Sequence, residues 1–228
     1  MAGVHQFGEQ EVIAIALDVF RRKGLHDVTM QDLAAATGVQ RGNLYNAYGD
    51  KEAIFLRAFD QYAAQFLEAS GDALAAGDVK TRLLNFLDMV IVNMTSGSPP
   101  RGCLTMRAAL DAAISSIAVR PRIQSLLGRL EQLVSKAIGS TPRRGRPIDA
   151  NRLARVVVTF TRGLAVMKRA GYGQKQLKLW PPALTSWLAV FDVACWIHSG
   201  QRQSRRRRYS PCERAISQFP DGRVSAIA

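Results

Sequence analysis

Three glycines, Gly24, Gly38 and Gly49, cut the start of the chain into short lengths, and each length carries helix-period apolar spacing. Residues 9–23 place Val12, Ile13, Ala16, Leu17 and Phe20 on one face, and Gly24 follows as a C-terminal stop. Thr29 is a good N-cap and Asp32 approximates its capping box, after which Leu33, Ala34 and Ala35 lead to Gly38. Past Val39 comes a short segment from Gln40 to Tyr48, closed by Gly49. Asp50 then caps a long helix whose apolar positions Ile54, Phe55, Ala58, Phe59, Tyr62 and Phe66 recur at spacings of three and four. Strand alternation is hard to find, so the fold expected is all-α, with three N-terminal helices followed by a helical C-terminal domain.

The same reading continues downstream. Val79, Leu83, Phe86, Leu87, Val90, Ile91 and Met94 mark an amphipathic helix stopped by the loop Ser96 to Pro100. Residues 103–118 and 122–138 read as helices with Pro121 between them, and 139–148 reads as an exposed Gly/Pro/Arg-rich loop. Leu153, Val156, Val157, Phe160, Leu164 and Met167 define a helix ending near Gly171, and a last apolar helix spans 182–198. From Gly200 the chain turns Arg/Ser/Pro-rich and loses periodicity, which is the composition of a disordered basic tail. The expected divisions are 1–52, 53–199 and 200–228.

A chain of 228 residues with formal net charge +13 invites nucleic acid as a partner, but the charge is not where that guess wants it. Residues 1–52 hold five basic and seven acidic side chains, residues 53–199 hold nineteen and nine, and residues 200–228 hold seven and two. Three dispersed cysteines and three histidines leave little for a disulfide framework or a metal site, and neither metal nor cofactor is expected. The N-terminus lacks the basic-then-apolar order of a signal peptide, and the apolar stretch 184–197 falls short of the roughly 20 residues a bilayer needs. A cytoplasmic protein with no membrane partner is the expectation.

Two short helices joined at Gly38 and backed by a third form a helix-turn-helix. Leu33, Val39 and Leu44 would lock its angle, leaving Gln40, Arg41, Asn43, Asn46 and Tyr48 for a major groove, while Tyr45 and Lys51 suit phosphates. Arg and Asn pair bidentately with guanine and adenine edges. Tyr45 reads equally as part of the small core, Asp50 as a pure cap, and Glu52 as a partner of the helix dipole.

The run from Val28 to Phe55 strongly resembles the DNA-binding domain of the tetracycline-repressor (TetR/AcrR) family, whose members show a similar G-V-x-x-G-x-L-Y-x-x-F-x-x-K-E-x-L-F run. Here it reads Gly38, Val39, Gly42, Leu44, Tyr45, Tyr48, Lys51, Glu52, Ile54 and Phe55, with Tyr48 where Phe is usual. The resemblance implies a homodimer that binds double-stranded operator DNA and answers a small-molecule effector, most simply as a repressor. Carried over by position, Thr29 and Gln31 begin the second helix. Gln40, Arg41, Gly42, Asn43, Tyr45, Asn46 and Tyr48 form the recognition turn and helix, and Lys51 grips the backbone.

Residues 101–104, Arg-Gly-Cys-Leu, resemble a segment found in a subset of the family that includes regulators sensing electrophiles through cysteine. A thiol at a helix N-terminus with Arg101 and Arg107 near it has its thiolate favoured; equally, Cys103 reads as a small buried apolar residue. An apolar pocket lined from 79–94, 104–118 and 153–167, with Met89, Met94, Met106 and Met167, is the ordinary alternative for an effector. Val156, Phe160, Leu164 and Met167 form a stripe suited to a dimer interface or to a monomer core. After Lys178 the resemblance fails, and residues beyond it are either a native basic tail or the product of a shifted reading frame. A non-specific basic architectural protein is the competing function. An enzyme ranks last, because the chain has no Gly-rich phosphate loop, G-x-S-x-G or H-E-x-x-H.

Overall fold

In the computed structural model, which describes residues 8–97, 102–115, 117–139 and 149–186, every glycine stop ends a helix. Helix α1 (Glu9–Lys23) runs to Gly24, α2 (Met30–Thr37) to Gly38, and α3 (Arg41–Tyr48) to Gly49. Gly38 sits in the left-handed region at φ 69° and returns its N–H to Ala34 O at 3.0 Å, a turn a side chain would strain. Thr29 and Asp32 close the full capping box, the Thr29 hydroxyl accepting from Asp32 N–H and the Asp32 carboxylate accepting from Thr29 N–H.

Helix α4 (Lys51–Ala73) starts on Asp50, whose carboxylate accepts from Ala53 N–H at 2.8 Å. Its inward face is a row of rings. Phe55, Phe59, Tyr62 and Phe66 have successive centroids 5.6–5.9 Å apart, and Phe20 from α1 meets Phe55 edge-on at 5.1 Å. Because α4 packs on α1 at one end and on the later helices along its length, it positions the helix-turn-helix against the rest of the chain.

The later part comprises α5 (Val79–Thr95), α6 (Leu104–Ser115), α7 (Val119–Gly139), α8 (Ala150–Arg169) and the single turn α9 (Gln174–Leu177), followed by a helical segment over 180–186. Asp78 and Asp149 cap α5 and α8 through their carboxylates. Leu126, Leu130 and Val134 of α7 are buried, as are Leu153, Val157 and Leu164 of α8, the helix against which α7 packs most extensively. No strand occurs among the described residues.

Local geometry departs from the sequence expectation at three places. Pro121 falls inside the first turn of α7 rather than between two helices; the N–H it lacks would have had no helical partner there. Pro181 and Pro182 likewise lie in the opening turn of the segment that begins at 180, two residues earlier than expected. The α8 stripe divides: Leu164 is buried in the chain's own core, Phe160 is half-buried, and Val156 and Met167 are 48% and 40% exposed. Of the expected loop 139–148, Gly139 is the last residue of α7 and the rest lies outside the described residues, as do most of the expected helix 182–198, the tail 200–228 and the choice between native tail and shifted frame.

Candidate nucleic-acid interface

Helix α3 is held by one fully buried side chain, Leu44, supported by half-buried Val39 and Tyr48. It has no side-chain N-cap and contains Gly42, so little beyond this anchoring keeps eight residues helical. The opposite face carries the expected set: Gln40, Arg41, Gly42, Asn43, Tyr45 and Asn46 are all exposed. A Cβ at Gly42 would meet nothing within 4 Å, so any close approach that this glycine permits is to a molecule outside the chain. The Arg41 guanidinium lies over the Tyr45 ring at 5.5 Å, one turn along the same helix. Both side chains are thereby held on the outer face.

Three expected contact residues already have structural work. Tyr48 is half-buried, with the Arg57 guanidinium over its ring at 5.3 Å, and burial, then the charge of Glu9, raises its phenol above the ordinary tyrosine value. Arg57 in turn pairs with Glu9 at 2.7 Å, joining α3, α4 and α1. Lys51 donates from Nζ to the carbonyls of His26 (2.9 Å) and Val28 (3.0 Å), stitching the start of α4 to the α1–α2 turn. An ammonium has three donors, so one remains for a phosphate. Thr29 and Asp32 spend their polar atoms on the capping box, and Asp32 is also ion-paired with Lys23 at 2.6 Å. That lysine, followed by the Thr29 backbone and hydroxyl, pulls the Asp32 carboxyl down to about 2. Gln31 is exposed.

In the later half, Cys103 precedes α6 and is half-buried. Arg107 does not face it, contrary to the expectation from spacing. Its Nη1 donates to Arg21 O at 2.8 Å and also to Arg22 O, carbonyls in the last turn of α1. The cation near the thiol comes instead from α8: Arg162 Nη1 reaches Cys103 Sγ at 3.6 Å, while its Nε and Nη2 donate to the Thr161 hydroxyl. Arg101 lies outside the described residues. Beside this pair the Tyr62 and Thr105 hydroxyls sit 3.5 Å apart in the core, and burial, then Cys103, pushes the Tyr62 phenol up to about 12. Of the four methionines, Met94 is buried, Met89 and Met106 are half-buried, and Met167 points outward. The α1 carbonyls that Arg107 meets and the approach of Arg162 to Cys103 were not found from sequence; those partners are 86 and 59 residues away, and no periodic signal links them.

A short helix with a polar outer face, clamped across a second helix by a left-handed glycine and carried on a third, has the geometry of a helix-turn-helix in an all-α fold. Residues 12–58 match the bacterial regulatory proteins of the tetR family. An uncharacterised HTH-type transcriptional regulator of Bacillus subtilis (strain 168), YezE, is 26% identical over 107 residues, which cover 46% of this chain and 55% of that protein. The matched stretch thus spans about half the length of this relative. A cysteine mutant of the TetR family transcriptional regulator CifR, complexed with 26-bp double-strand operator DNA, superposes with TM-score 0.70 at 25% identity, covering 80% of this chain and 97% of that one. A TetR transcriptional regulator from Chloroflexus aurantiacus J-10-FL shares the fold at TM-score 0.69 and 24% identity, over 79% and 93%. Residues 12–58 therefore carry the DNA-binding domain of the TetR family, on a chain whose overall fold is that of TetR-family regulators. No described helix is long and apolar enough to cross a membrane.

Proposed function

We propose that the chain is a ligand-responsive transcriptional regulator acting as a repressor: a cytoplasmic homodimer released from a palindromic operator by a small-molecule or electrophilic effector. The observation that carries this reading is α3, which buries Leu44 and presents Arg41, Asn43, Tyr45 and Asn46 outward. In this reading Arg41, Asn43 and Asn46 meet bases or phosphates. Gln40, Gly42 and Tyr45 approach the backbone with Gln31, and Thr29, Tyr48 and Lys51 hold the unit in shape at its edge. Residues 1–52 read DNA, and 53–199 bind effector and dimerise. The outward apolar side chains of α8, Val156 and Met167, support the dimer surface. No catalytic role is assigned.

Cys103 is the residue proposed to sense an electrophile, supported by Arg162 from α8 at 3.6 Å. Electrophoretic retardation of palindromic DNA flanking the chain's own gene tests the reading, with and without N-ethylmaleimide. Specific retardation is expected, lost on alkylation of wild-type protein and kept by Cys103→Ser. Retardation without sequence preference at any salt concentration favours the architectural alternative.

A further inference from the structure

Helix α3 packs chiefly on α2, and Leu44 in its middle is the one side chain it buries fully. A single buried anchor leaves an eight-residue helix free to pivot. Tyr48, one turn beyond Leu44, supplies a second hold, and contacts reach it from two other helices. Arg57, in the second turn of α4, lays its guanidinium over the Tyr48 ring at 5.3 Å. The same guanidinium donates from Nη1 to Glu9 Oε1 at 2.7 Å, at the first residue of α1. Asp60, one turn further along α4, is taken by Arg122 of α7 at 3.1 Å and so does not compete for Arg57. Burial raises the Tyr48 phenol most, the Glu9 charge adds to this and the Arg57 charge opposes it, so both charges lie within reach of the ring.

We propose that Arg57, steadied by Glu9, is a positioning residue for operator selectivity: it fixes the attitude of α3 through Tyr48 rather than acting on DNA itself. The role in selectivity rests on the reading of α3 as the element that meets DNA; the brace does not. Arg57 is exposed near α3, where a cation invites assignment as a phosphate ligand, but its face is on a ring and one edge is on a carboxylate. Bidentate contacts from Arg41 or Asn43 to a base edge depend on angle as well as distance. A small rotation of α3 therefore costs discrimination between bases before it costs phosphate affinity. Both charges of the pair are exposed, so the ion pair adds little by itself and its use is to hold the guanidinium in place. A cation over a ring at such a site is worth roughly a two- to fivefold change in an equilibrium. A palindrome read by two copies of α3 shows the square of that.

Amide hydrogen exchange of the full chain tests the brace without DNA. In Arg57→Met, which keeps the stem, the N–H groups of Leu44 and Gly49, bonded to Gln40 O and Tyr45 O, should exchange roughly two- to fivefold faster while α7 amides stay unchanged. Unaltered exchange in α3 overturns the proposal. Fluorescence anisotropy on the palindrome flanking the chain's own gene, and on the same duplex with one half-site base pair changed, then tests selectivity over a range of salt. Arg57→Met should lower the ratio of the two affinities and keep the salt dependence of wild type. A phosphate ligand gives the reverse, with the ratio kept and the salt slope smaller by about 1, and that result overturns the proposal. Glu9→Ala should also lower the ratio, although it removes a negative charge; tighter binding to both duplexes at an unchanged ratio overturns the part given to Glu9. Circular dichroism melts check the fold of each variant, and if Arg57→Met melts well below wild type, Glu9→Ala, which leaves α4 untouched, decides. A wild-type chain that prefers no duplex removes the regulator reading and with it the role in selectivity, while the exchange result still decides the brace.

Discussion

Replacing Arg107 with methionine keeps the aliphatic stem of α6 and removes the two hydrogen bonds that its guanidinium gives to Arg21 O and Arg22 O. A hydrogen bond from a charged donor contributes about 1.5–3 kcal/mol when buried, but here one acceptor is part-buried and the other exposed, so solvent screening lowers the gain. A cation at a helix C-terminus adds about 0.3–1 kcal/mol. Together these give a cost of about 1–2 kcal/mol, carried by the end of α1 and by its attachment to α6. For a chain of this size that is a fall in melting temperature of about 2–8 °C. The more specific readout is amide hydrogen exchange. The N–H of Gly24, bonded to Phe20 O at 2.8 Å, closes the same helix end, and its exchange should quicken roughly 5- to 30-fold while the α7–α8 amides stay unchanged. Arg107→Lys restores one charged donor and should recover part of the protection. Unaltered exchange at the end of α1 in Arg107→Met would refute the clamp, and an equal loss across α7 and α8 would show a general destabilisation instead.

Three further outcomes follow from the same structure. Arg41→Ala should cost about 1–3 kcal/mol on the preferred operator base and leave melting unchanged, whereas Tyr45→Phe, which keeps the ring under Arg41, should preserve base preference; fluorescence anisotropy on matched and mismatched duplexes reads both. Leu44→Ala empties the one fully buried position of α3 and should cost about 2–5 kcal/mol, read as early loss of protection in residues 41–48. Because the Tyr62 phenol ionises only near 12 when folded and near 10 when unfolded, the fold favours its neutral form, so stability should fall as pH climbs between those values. Tyr62→Phe should flatten that alkaline limb in denaturant titrations.

Local rules were enough to read the first half of the molecule from its sequence. Gly38 and Gly49 end helices because the chain must turn there, and the Thr29–Asp32 box closes over three residues, so the signal and the contact occupy the same few positions. The exposed face of α3 followed from Leu44 alone. Side-chain assignments that depend on distant elements were not legible. Lys51 reads as a phosphate ligand until the α1–α2 turn brings two carbonyls to it, and Arg107 reads as a neighbour of Cys103 until α1 offers its open end. In α8, hydrophobicity marks Val156, Phe160, Leu164 and Met167 alike. Only packing against α7 and α5 shows that Leu164 faces inward and that Val156 and Met167 do not. The charge excess was the least informative feature, because residues 1–52, which present Arg41, hold seven acidic side chains against five basic ones.

Selection of binding sites from random duplex DNA by the purified full chain tests the central claim most directly. A palindrome with two half-sites about one helical turn apart is predicted, its enrichment lost in Arg41→Ala while the variant still folds. Recovery of DNA with no enriched sequence, or the same palindrome selected equally well by Arg41→Ala, would contradict the assignment of α3 as the element that reads DNA.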